Sequence, residues 1–87
     1  MKLPQVLDLA AATTLRTQLM ERRGQKLALD GGEVERLGGL CLQVLIAARN
    51  QWRVDGVDFH IVNPSPAFAD GARLLGADDI ASLGDAS

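Results

Sequence analysis

Tyrosine is absent, cysteine and histidine occur once each, and aromatic residues make up 3% of an 87-residue chain. Leu, Val, Ile and Ala must therefore build the core, and a large ligand cavity would be hard to wall with them. A lone cysteine, Cys41, excludes an internal disulfide and a thiolate zinc cluster, and fits a reducing compartment. His60 has no second imidazole to share a metal with, so neither a metal site nor a cofactor is expected. Neither sign of charge dominates: 9 basic against 11 acidic residues give a net charge of −2. That balance excludes the basic footprint of a nucleic-acid binder and leaves a protein or a small molecule as partner. No apolar run approaches the roughly 20 residues of a membrane span. Met1-Lys2-Leu3-Pro4 also lacks the apolar stretch of an export signal, so a cytoplasmic protein without membrane insertion is expected. One further absence is local: no Ser or Thr lies between Gly24 and Phe59.

What is present suffices for one small domain over 1–87, ending in a polar tail at 84–87. Leu3 to Leu7 is short, apolar and interrupted by Pro4, which suits a strand start or an edge. Asp8 is placed to cap a helix from Leu9 to Arg22, with Leu9, Ala12, Leu15 and Leu19 recurring near the helical period. Thr13, Arg16, Gln18 and Glu21 form its wetter side. Arg22-Arg23-Gly24 is a fitting end, since cations offset the helix dipole and glycine takes the left-handed cap. Lys26 to Asp30 reads as a buried strand, and Gly31 to Arg36 as a loop. A second helix spans Gly39 to Val54; its dense apolar positions, including Leu42, Leu45, Ile46 and Trp52, predict cover on most sides. Asp55-Gly56 turns the chain into a strand over Val57 to Val62. Asn63-Pro64-Ser65-Pro66 then opens a helix to Leu75, with Ser65 as cap and proline in the first turn. Gly76 ends that helix, and a last turn is expected at 78–83. Strands alternating with helical crossovers predict a small α/β fold with mostly parallel pairing.

Several residue groups invite a chemical reading. Gly38-Gly39 at a helix start resembles an anion cradle, but without a nearby lysine or a fuller phosphate-loop pattern a tight turn explains it better. Cys41 at the same helix start has the setting of an activated thiol, and its apolar neighbours point instead to a small core residue. Asp58 and His60 fall on one side of a strand as a conceivable acid/base pair, and Glu33 and Glu35 alternate similarly. Neither pair has an accompanying nucleophile, so a surface or satisfied histidine and a solvated loop face fit them. Ser65 would need an activating base to act as a nucleophile, and capping is the simpler role. Trp52 is read as core packing ahead of partner anchoring.

Val34-Glu35-Arg36-Leu37-Gly38-Gly39-Leu40-Cys41-Leu42-Gln43-Val44-Leu45-Ile46-Ala47-Ala48, then Val57 to Val62, then Asn63-Pro64-Ser65-Pro66, resemble bacterial STAS domains, the family of anti-sigma factor antagonists. The match is best over Lys26 to Ile80, and the family's opening hairpin is reduced to Leu3 to Leu7. The resemblance implies a mixed, mostly parallel sheet of about four strands with helices packed on it. It further implies a non-enzymatic regulator that binds a kinase-like partner through residues 34–43, with Glu35, Arg36, Gly38, Gly39, Leu40 and Gln43 as contacts. The partner would be an anti-sigma factor of the serine-kinase type or a protein of a chemotaxis histidine-kinase pathway; the Cys41-to-Leu45 wording is similar to stand-alone STAS proteins of chemotaxis clusters. An alternative is a STAS subunit of a lipid-moving ABC transporter. A small enzyme using His60 and Asp58 is the rival from another class. In switching members of this family a phosphate on a Ser or Thr ejects the partner by charge. Alignment places Gly38 on the family's aspartate, Gly39 on that phosphoacceptor and Leu40 on the second hydroxyl residue. A one-residue slip would not restore a hydroxyl, so binding without a phosphorylation switch is expected.

Overall fold

A computed structural model describes residues 1–75. In chain order it contains β1 (Val6–Leu7), α1 (Leu9–Glu21), β2 (Leu27–Asp30), β3 (Arg36–Leu37), α2 (Gly39–Asp55), β4 (Phe59–Val62) and α3 (Pro66–Leu74). The helix end at Gly76, the turn expected at 78–83 and the tail at 84–87 lie outside the described residues.

Pairing is parallel in two short ladders. β1 runs beside β3, with Val6 opposite Arg36 and Leu7 opposite Leu37. β2 runs beside β4 in the register Leu27–Phe59 to Asp30–Val62. The N-terminal segment joins the ladders: Lys2 bridges Asp30 in parallel, where Leu3 N–H donates to the Asp30 carbonyl at 2.9 Å and Asp30 N–H to that of Met1 at 2.8 Å. One stretch of chain thus serves β2 with its first residues and β3 with its last. This is the small α/β fold expected, with four strands, and every ladder among the described residues is parallel.

Two expectations are corrected. Arg36, read as the end of a loop, forms β3 with Leu37; polar Glu35 and Arg36 hid a two-residue strand whose pairing depends on a distant segment. Leu9, counted on the apolar side of α1, is 74% exposed, because it opens the helix before the first turn has reached the core. Smaller differences lie at the ends: β4 starts at Phe59 rather than Val57, α1 stops at Glu21 and α2 runs on to Asp55.

The core is a single cluster built largely from aliphatic side chains. Leu3, Leu7, Leu29, Leu45, Ile61 and Phe68 are fully buried in it. Trp52 donates its indole N–H to the Gln25 carbonyl at 2.7 Å, and its ring lies 5.6 Å from that of Phe59 in a tilted arrangement. Cys41, Leu42, Leu45, Ala48 and Trp52 are the buried residues of α2. They form one stripe, so α2 is covered on one side and not on most sides. Gly56 ends α2 with a φ of 72°, and Gly24, two residues past the Arg22 cap of α1, has a φ of 84°, conformations that cost a side chain strain.

Candidate functional site

α1 and α2 lie side by side in the same direction, fastened at both ends. At their starts, Gly38 N–H donates to the Leu7 carbonyl at 2.8 Å, and the Cys41 thiol donates to the Asp8 carbonyl at 3.1 Å. The Asp8 carboxylate meanwhile caps α1, accepting from Ala11 N–H at 3.0 Å. At their ends, Arg23 reaches Asp55 with N and O 3.2 Å apart. Burial, then the nearby Asp8 charge, pushes the Cys41 thiol pKa up, so it stays protonated and donates. Cys41 is a buried pin between two helix starts, not an activated nucleophile.

The start of α2 is unusual for what it omits. Gly38 holds the cap position with no side-chain hydrogen bond, whereas Asp8 and Ser65 cap α1 and α3 with theirs. A Cβ on Gly38 would stand 3.0 Å from the Leu7 carbonyl oxygen, whereas one on Gly39 would meet nothing within 4 Å. Close backbone approach thus favours glycine at 38, and nothing among the described residues crowds a side chain at 39. Arg36 in β3 and Glu35 before it are exposed, as are Gly39, Leu40 and Gln43. Leu40, at 45% exposure, and Met20, at 56%, lie along a shallow apolar groove of about 420 Å³ between α1 and α2. Gln43 and Val44 continue its floor, and Arg16 stands on its wall. Gly39, Leu40 and Gln43 therefore share one exposed helix start, with Arg36 and Glu35 on the approach to it. The α1 side of the groove was not legible in sequence; the exposed apolar Met20 on an otherwise polar face was its one signal.

The remaining candidates lie elsewhere in the fold. Ser65 is buried, caps α3 by accepting from Phe68 N–H at 3.0 Å, and donates to the Val34 carbonyl at 2.5 Å. Glu33 faces Lys2 at 3.4 Å across an exposed surface. Asp58 precedes β4, where its carbonyl accepts from Leu27 N–H. His60 sits within β4 opposite Ala28, and its Nδ1 is buried without a hydrogen-bond partner. No hydrogen bond joins His60 to Asp58 among the described residues. No group of three or more His, Cys, Asp or Glu among those residues is placed to hold a metal. No helix there is long and apolar enough to cross a membrane.

Comparison with known families gives one match. The family model described as "Mlab, STAS domain" covers residues 1–84. No curated protein and no solved structure shows significant similarity to the chain.

Proposed function

Because the chain belongs to the STAS domain family, we propose that it is a non-enzymatic regulator that docks a kinase-like protein partner through the junction at residues 34–43. The observation that carries this reading is the start of α2. It is exposed, has no side-chain cap, and offers open space over Gly39 beside an exposed Leu40. Bare glycine backbone lets a partner's main chain come close. Glu35, Arg36 and Gln43 supply the polar contacts around it.

The missing hydroxyl supports binding without a phosphorylation switch. A phosphate at this position would add about −1.5 to −2 charges at the interface. No Ser, Thr or Tyr lies between Thr17 and Ser65, so no residue near Gly39 in sequence can receive one. Partner engagement is then constitutive or controlled from the partner's side. Within bacterial signalling, an anti-sigma factor or a chemotaxis histidine-kinase pathway protein fits as the cytoplasmic partner. A second reading, a subunit clasping the ATPase of a lipid-moving ABC transporter, is favoured by the same missing hydroxyl, since a permanent subunit needs no release switch.

Purification of the intact protein from its host, beside the Gly39→Asp variant, tests the proposal. The partner should accompany the first and not the second, and its identity chooses between signalling and transport. Equal recovery with both removes this surface. An enzyme relying on His60 would lose turnover in His60→Ala, a change that leaves docking intact.

A further inference from the structure

We propose that the groove between α1 and α2 receives an amphipathic helix of the partner, whose apolar face lies on Met20, Leu40 and Val44 and whose carboxylate meets Arg16. This rests on the docking role proposed for the neighbouring junction and extends it along the seam. The groove is continuous with that junction, since Leu40 and Gln43 line it from the first turns of α2. Two helices fastened side by side form a rigid trough whose floor is apolar and whose direction follows the helix axes, a shape that accepts a third helix. Exposed Met20 suits such a contact because its unbranched side chain adapts to the surface laid on it.

Charge selects the occupant. Arg16 is the one charged residue lining the groove, and it makes no ion pair among the described residues. The remaining polar lining, Gln43 and Gln51, is neutral. A helix carrying Asp or Glu beside its apolar stripe therefore fits, and one carrying Lys or Arg there is repelled. A second copy of this chain is a poor occupant: a symmetric pair would set one concave groove against another and fill neither.

The test places a photo-crosslinking amino acid at Met20, and separately at Leu40, in the full chain expressed in its host, with the crosslinked peptides identified by mass spectrometry. The expected result is that Met20 captures a partner segment with apolar residues at helical spacing and an acidic residue beside them. Arg16→Glu should lower that yield more than about tenfold, and reversing the partner's acidic residue to Lys should restore it. Capture of a second copy, capture of a segment without an acidic residue, or a yield indifferent to Arg16→Glu overturns the inference. Capture from Leu40 but not Met20 overturns the groove and leaves the junction standing. No capture from either position removes both.

Discussion

Two helices of this domain, α2 and α3, have starts built in opposite ways. α3 begins at Ser65, whose hydroxyl is buried and used twice, as cap to Phe68 and as donor to Val34. α2 begins at Gly38 and Gly39, with no side-chain cap and with open space over Gly39. A free helix start leaves N–H groups without intrahelical partners, so the bare start of α2 forgoes stability that the other start secures. The contrast teaches that the start of α3 is closed by its own side chain, whereas that of α2 packs Cys41 and Leu42 into the core and leaves Gly39 and Leu40 exposed beside them. The family's switch, where present, would put its hydroxyl on the second kind of start, and there this chain has none.

The contrast is breakable by substitution. Ser65→Ala removes a cap and leaves the buried Val34 carbonyl unsatisfied, so it should cost about 2–3 kcal/mol in denaturant unfolding. A cost below about 0.5 kcal/mol would mean that the start of α3 is not the structural one. Gly38→Ala should cost about 1 kcal/mol, because the added methyl crowds the Leu7 carbonyl and alanine caps poorly. One residue on, Gly39→Ala should gain up to about 0.5 kcal/mol, since it enters open space with a better helix former. Opposite signs at adjacent glycines sharpen the contrast between a crowded position 38 and an open position 39; equal signs blunt it.

A smaller effect lies at the far end of the seam. The hydrogen bond from Arg23, helped by Gln51, holds the Asp55 carboxyl below its ordinary pKa, against a lesser opposing effect of burial. A depressed carboxyl contributes stability that is present above its unfolded pKa and lost as pH falls through its lower folded one. Unfolding midpoints followed downward from pH 5 should therefore decline less steeply in Asp55→Asn than in the parent. An unchanged acid limb would mean that the Arg23–Asp55 contact does not fasten the helices.

Much of the fold was legible because local chemistry and the final structure agree. Asp8 and Ser65 cap the helices that their side chains predicted, Gly24 takes a left-handed conformation, and β4 lies within the strand read over Val57 to Val62. What stayed hidden depends on distant partners. β3 exists because Val6 and Leu7 pair with it, and nothing in Arg36-Leu37 alone announces a strand. The exposure of Leu9 and the one-sided burial of α2 likewise depend on where its neighbours lie. The candidate site divides along the same line: the glycine pair and its missing hydroxyl are visible in sequence, whereas the groove arises only when α1 and α2 are brought side by side.

The most direct test of the central claim is calorimetric titration of the partner recovered from the host into the parent protein and into Gly39→Asp. Open space over Gly39 and a favourable acidic residue at a helix start predict a folded variant that is at least as stable as the parent. An uncompensated charge brought into the interface predicts affinity lower by about a hundredfold or more. The parent's affinity should also be the same before and after phosphatase treatment. Equal affinity of parent and variant would contradict the account, and so would parent binding that changes when phosphate is removed.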